Sequence, residues 1–132
     1  MTEFYAAGKR FPLNRTYVMG ILNVTPDSFS DGGKYFDPEK AVRRAVEMEA
    51  QGVDIVDIGG QSTRPGSVRI SPEEEWARIE NVVKAVAEKT NLAVSIDTFY
   101  PEVAEKALKA GAHIINDVTG FAPEMWLSLI HI

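Results

Sequence analysis

The 132-residue sequence predicts an α/β fold, a parallel sheet with helical crossovers. Three observations carry that expectation. Short apolar runs alternate with amphipathic stretches at helical spacing. Each run ends, on its carboxyl side, in a polar residue or a glycine pair: Leu22-Asn23, Ile58-Gly59-Gly60, Ile96-Asp97 and Ile115-Asn116-Asp117. A short internal repeat also aligns Gly52 to Asp57 with Gly111 to Asn116, matching the second run to the fourth. In a (βα)8 barrel, alternate strands share interior layers, so such a match is expected of strands two and four.

In chain order, residues 3–14 read as a hairpin with Gly8-Lys9 at its turn, and Pro12 limits it to an edge position. Residues 17–22 form the first buried strand. A helix follows from about Pro38, with Asp37 as N-cap and Val42, Ala45 and Val46 on one face. Gly52 ends it, and residues 53–58 are the second strand. Ser71-Pro72-Glu73-Glu74 opens the second helix with a cap, an N1 proline and a glutamate three residues after the cap. Trp76, Ile79, Val82, Val83 and Val86 make its apolar stripe. Leu92 to Ile96 is the third strand. The third helix, about Tyr100 to Ala110, buries Val103, Ala104, Ala107 and Leu108. Gly111 closes it before the fourth strand, His113 to Asn116.

A net charge of −5 argues against a general nucleic-acid or anionic-membrane binder, since both partners reward clustered Lys and Arg. With no cysteine, disulfides, thiol nucleophiles and Cys-ligated metals are excluded for these residues. The N-terminus lacks a signal-peptide layout, and no apolar run reaches membrane-spanning length. The expected setting is cytoplasmic, with no nucleic-acid and no membrane partner.

A parallel α/β sheet presents its chemistry at the carboxyl ends of its strands. Asn23, Asp97 and Asn116 would converge there on one pocket. Each also has a plainer role: Asp97 or Thr98 as a cap of the third helix, Asn23 in an Asx turn, Asn116 satisfying a loop backbone. Their equivalent positions favour a shared site. Loop two, residues 59–69, combines glycines with Ser62 and Thr63 hydroxyls and the Arg64 fork, which suits phosphate oxygens or is simply a flexible turn. Loop one, residues 25–33, places Phe29 among hydroxyls and carboxylates, either as a lid or as a loop anchor. His113 reads as a packed or satisfied histidine, Glu73 to Glu75 as complements to the helix amino end, and Trp76 as core. Asp57 is a secondary candidate, facing the interior beneath the site.

Four segments together resemble dihydropteroate synthase: MGILNVTPDSFSDGG at 19–33, DIGGQSTRPG at 57–66, SIDT at 95–98 and AGAHIINDVTG at 110–120. The likeness spans roughly residues 4 to 125. Gln61, where many relatives have glutamate, is a loop position outside the chemistry. The resemblance implies a pterin-binding (βα)8 barrel that condenses 6-hydroxymethyl-7,8-dihydropterin diphosphate with p-aminobenzoate, releasing pyrophosphate. By the same likeness Asn23 would bind Mg²⁺ with the diphosphate, and Thr63 would hydrogen-bond the diphosphate. Ser62 and Arg64 would shape the p-aminobenzoate site, and Asp97 and Asn116 would hold the pterin ring. Phe29 and Asp31 would belong to a mobile loop closing over the reacting centre, so that Asn23, Phe29, Asp31 and Arg64 form the catalytic set.

A complete (βα)8 barrel takes about 250 residues. The expected division is therefore a hairpin at 1–16, the first half of the barrel at 17–125, and an atypical apolar tail at 126–132 that reads as a truncation. Such a piece is expected to be a poor catalyst and unlikely to form the homodimer of full-length family members. Two other functions fit the same residues: a non-catalytic pterin or diphosphate binder, and a methyltetrahydrofolate methyltransferase. The pterin of the second carries no diphosphate, so Asn23 with Thr63 and Arg64 argues against it.

Overall fold

Strand pairing sorts the chain into two sheets. The computed structural model describes residues 2–26, 37–62 and 65–120. In it, β1 (Glu3–Ala6) and β2 (Lys9–Pro12) form an antiparallel hairpin. β3 (Met19–Asn23), β4 (Ile55–Gly59), β5 (Ala93–Asp97) and β6 (Ile114–Asn116) form a parallel sheet in sequential order. The crossovers are α1 (Pro38–Ala50), α2 (Pro72–Lys89) and α3 (Pro101–Lys109). The α/β architecture and the parallel sheet are as the sequence predicts, whereas closure into a barrel is not seen among the described residues. The expected tail at 126–132 lies outside them.

The helices start where their caps dictate. Asp37 accepts from the Glu39 amide at 3.0 Å, and Ser71 Oγ accepts from the Glu74 amide at 3.1 Å. α1 and α3 end alike. Gly52 (φ 93°) and Gly111 (φ 116°) sit just past each helix in the left-handed region. The next amides, of Val53 and Ala112, return to the carbonyls of Met48 and Ala107 at 3.0 Å. Glycine is the residue that adopts this conformation without strain. The internal repeat is thus a repeated helix ending and strand entry.

One sheet face packs on the helices. Leu22, Val56, Ile58, Val94 and Ile96 meet Ala41, Val42, Ala45 and Met48 of α1, Ile79, Val82, Val83 and Val86 of α2, and Val103 and Ala107 of α3. Burying each of the larger side chains contributes about 1.5–3 kcal/mol before chain entropy is charged. On the other face, Ala6 and Phe11 of the hairpin pack against Ile55 and Ala93, closing the amino-terminal end of the sheet. Phe4 stacks on Phe11 with centroids 4.7 Å apart, and Tyr17 meets both edge-on.

Several expectations are corrected. The hairpin turn is Ala7-Gly8, both at positive φ, one residue earlier than expected. Strands β3 to β5 begin and end one or two residues later than expected, and their ends lie at Asn23, Gly59 and Asp97 because pairing extends to the residue that closes each apolar run. On α1, Val46 is exposed, and Ala41 and Met48 take its place against the sheet. Leu108 is only half-buried.

Candidate functional site

The sheet alternation decides which side chains share a surface. With Leu22, Ile58 and Ile96 turned toward the helices, Asn23, Gly59 and Asp97 face the opposite side at the carboxyl edge. The register sets them in a row: Asn23 pairs with Gly59, Asp97 with Asn116, and Ile58 with Ile96 one step below. Gly59 is a gap in this row. A Cβ there would lie 3.4 Å from the Asp97 Cβ and 3.5 Å from its Oδ2.

Asp57 sits one layer deeper on the same face and is buried. Its two oxygens are committed: Oδ1 accepts from Ser95 Oγ at 2.8 Å and Oδ2 from Asn116 Nδ2 at 3.1 Å. The second bond fixes the Asn116 amide, leaving its carbonyl oxygen available at the edge. Asp97 is different. Its half-buried carboxylate receives no hydrogen bond from the described residues, and burial, then the charges of Asp57 and Asp117, push its pKa up. Such a group is poised for a ligand that brings donors of its own.

The plainer roles are not filled as expected. Neither Asp97 nor Thr98 caps α3, whose N-cap is Tyr100 with no side-chain cap bond; Thr98 Oγ1 accepts from the Tyr100 amide at 3.1 Å, just ahead of the helix. Asn116 bonds Asp57 rather than a loop. Asn23 makes no side-chain hydrogen bond among the described residues and is exposed at the strand end.

Loop two leaves the sheet beside this row. Its base is closed by Gln61, whose Oε1 accepts from the Ile70 amide at 2.7 Å, and by Ser67 Oγ, which donates to the Ser62 carbonyl at 2.8 Å. Gln61 is therefore a structural tie across the loop, a part its sequence position did not announce. A recess here is lined by Gln61, Ser62, Ser67, Arg69 and Phe99, with the Arg69 guanidinium 4.7 Å above the Phe99 ring.

The structure thus brings Asn23, Asp57, Asp97 and Asn116 onto one face, with Ser62 on the adjoining loop. Phe29, Asp31, Thr63 and Arg64 lie outside the described residues. Sequence reasoning missed Ser95, although period-two alternation from Asp97 places it on the Asp57 face. It also missed the inward turn of Glu75, which is buried and bonded to Thr98 rather than complementing the helix end in solvent. His113 is satisfied, as expected, but exposed: its Nδ1 accepts from the Val94 amide at 3.0 Å.

Comparison with known proteins gives the arrangement its context. The model of the pterin binding enzyme family matches residues 19–130. The dihydropteroate synthase of Clostridium beijerinckii is 55% identical over 107 residues, covering 81% of this chain and 40% of that protein. That of Bacillus subtilis is 52% identical over 106 residues, covering 80% and 37%. The structure of Xanthomonas albilineans dihydropteroate synthase with 4-aminobenzoic acid superposes with a TM-score of 0.89 at 43% identity, over 97% of this chain and 47% of that one. The chain spans about two-fifths of the length of the curated relatives it matches.

Proposed function

We propose, because this chain belongs to the pterin binding enzyme family, that its polar row is the pterin end of a dihydropteroate synthase site. The reaction would join 6-hydroxymethyl-7,8-dihydropterin diphosphate to p-aminobenzoate. The observation that carries this is the unpartnered, half-buried Asp97 carboxylate level with the Asn116 amide that Asp57 holds. An aminopyrimidine edge offers adjacent N–H donors and a ring acceptor in one plane, which a carboxylate and a primary amide match.

In the condensation, the bond from the pterin methylene to the diphosphate oxygen breaks and its electron pair leaves with pyrophosphate. The amine lone pair of p-aminobenzoate forms the new C–N bond, and the nitrogen loses one proton to solvent. This chain's residues would bind and orient. Asp97 and Asn116 hold the ring, Ser62 with Thr63 and Arg64 meets the anions, and Phe29 and Asp31 help to exclude water, which would otherwise capture the activated methylene.

Mg²⁺ is part of the proposal, and the donor set fits it in one way. The described residues hold no group of three or more His, Cys, Asp or Glu side chains suited to a metal. Asn23 offers a single exposed amide oxygen, which suits a hard cation that draws its other ligands from phosphate and water. Bound there, the ion would neutralise charge developing on the departing diphosphate.

We read the parallel sheet as the first half of a (βα)8 barrel, with the β1–β2 hairpin as its floor. No described helix is long and apolar enough to cross a membrane, and the reading includes a cytoplasmic setting and small-molecule partners only. The test is fluorescence titration of the chain with 6-hydroxymethyl-7,8-dihydropterin, followed by an assay for dihydropteroate. Saturable binding lost in Asp97→Asn supports the pterin reading. Binding unchanged in that variant refutes it, binding without product marks a binding module, and displacement by methyltetrahydrofolate points to a methyltransferase.

A further inference from the structure

Behind the polar row lies a buried carboxylate that none of the roles above uses. Glu75, in the first turn of α2, is 1% exposed. Its Oε2 accepts from Thr98 Oγ1 at 2.6 Å, and Thr98 is itself 2% exposed. Thr98 directly follows Asp97, and its amide donates to the Asn116 carbonyl at 3.2 Å. Its hydroxyl accepts from the Tyr100 amide as it donates to Glu75. One residue therefore ties the ends of β5 and β6 together and anchors both to α2.

The next turn of the helix also braces loop two. Arg78 Nη1 donates to the Gly60 carbonyl at 2.9 Å while Nη2 pairs with Glu74 at 3.2 Å. Gly60 packs so closely that a Cβ would meet the Glu75 carbonyl at 3.2 Å and Ile79 Cγ2 at 2.9 Å. Burying a carboxylate among apolar side chains costs more than one hydrogen bond returns, and burial pushes the Glu75 pKa up, with the Asp97 charge adding to it. A methionine or leucine would fill the volume without that cost, so fold stability alone does not account for an acid here.

We propose that Glu75 is a positioning residue: through Thr98 it sets the spacing of Asp97 and Asn116 at the pterin edge. It touches no substrate. Its role is to orient the two groups that do, as supporting hydrogen bonds orient a binding pair. The inference rests on the pterin reading of this edge.

The test uses four variants of this chain and two readouts. One is affinity for 6-hydroxymethyl-7,8-dihydropterin, and the other is the ligand-free NMR resonance of the Asn116 side-chain amide. Thr98→Val and Glu75→Met are expected to weaken pterin binding about tenfold, as displacement of orienting groups does, and to shift that resonance. Thr98→Ser and Glu75→Gln keep a hydroxyl and an accepting oxygen, so they are expected to restore both. Binding of inorganic pyrophosphate, which draws on Asn23 and loop two, stays unchanged in every folded variant.

Thr98→Val is near-isosteric, so it carries the test if Glu75→Met fails to fold. Equal pterin affinity in the Val and Ser variants overturns the positioning role, and so does parallel loss of pyrophosphate binding. If the unmodified chain binds no pterin, the pterin reading fails by itself. The positioning of Asn116 then stands or falls on whether its resonance moves in Thr98→Val and returns in Thr98→Ser.

Discussion

The Asn116 side-chain amide donates to Asp57 Oδ2 at 3.1 Å although 59 residues separate them. Those two positions are the equivalent last residues of the internal repeat. The repeat thus ends in a hydrogen bond between its own copies, and one copy's acid orients the other's amide. Asp57→Ala would strip partners from both Asn116 and Ser95. It is expected to lower stability by about 1–3 kcal/mol, the cost of unsatisfied buried groups, and to weaken pterin binding as Asn116 turns free. Urea unfolding and pterin titration of the same variant check both.

Asp97 is expected to behave oppositely toward stability. Its folded pKa lies above the unfolded value, so the folded state holds its proton more tightly. Stability then falls as pH rises from the unfolded carboxylate pKa through the folded one, and above both the ionised group is a net cost. Asp97→Asn is expected to raise the urea midpoint at pH 7 while abolishing pterin affinity, the trade-off of a group kept for binding. A lower midpoint in the variant would assign Asp97 a structural part.

His113 predicts a separate acid effect. Its Nδ1 accepts from the Val94 amide, and the partial burial of that bonded ring edge, then the charge of Lys9, lower its pKa in the fold although the residue as a whole is exposed. The unfolded state therefore takes up the proton first. This contribution is complete above the ordinary histidine pKa and is lost as pH falls through it to the folded value. The protection of the Val94 amide against hydrogen exchange, relative to its intrinsic rate, is expected to fall over that window, and His113→Asn, which retains an accepting oxygen, to flatten the dependence.

Two glycines separate close approach from tolerance. A Cβ at Gly60 would strike Ile79 at 2.9 Å and the Glu75 backbone at 3.2 Å, neither free to retreat. A Cβ at Gly20 would come nearer, 2.7 Å, but to the Sδ of Met48, near the end of a flexible side chain, with Val53 Cγ1 next at 3.3 Å. Gly60→Ala is expected to cost about 1–3 kcal/mol by overpacking, and Gly20→Ala clearly less. Paired denaturation curves rank them.

Ala7 is a correctable strain. It holds φ 56° in the hairpin turn, a conformation costly to a residue with a Cβ. Ala7→Gly is expected to stabilise the chain by about 1 kcal/mol, less the extra entropy glycine brings to the unfolded state. A thermal melt decides the sign.

Where a local rule governs, the sequence was readable. Asp37 and Ser71 cap as their neighbours predict, Gly52 and Gly111 stop their helices, and the polar ends of the apolar runs line one edge. The shared face of Asn23, Asp97 and Asn116 followed from those strand ends. Glu75 was not readable in this way, because three successive acids at a helix start satisfy the dipole argument wherever they point. Yet it lies four residues before Ile79 and seven before Val82, on the buried stripe, and only tertiary packing reveals which acid turns inward. The hairpin turn and Val46 failed for the same reason: partner strands and helices, not intrinsic preference, choose the register and the face.

The sheet face turned away from the helices grades from Ile55 and Ala93 under Phe11, through Asp57 and Ser95, to Asn23, Asp97 and Asn116 at the rim. Polarity along this axis works as a depth gauge. On the pterin reading, a flat heterocycle sliding in edge-first would find open partners in Asp97 and the Asn116 side-chain oxygen at the rim, and below them only Asp57 oxygens already committed to Ser95 and Asn116, then hydrocarbon. Penetration would therefore halt where compensation ends, so the reactive arm of the ring would stay at the mouth without any wall to stop it.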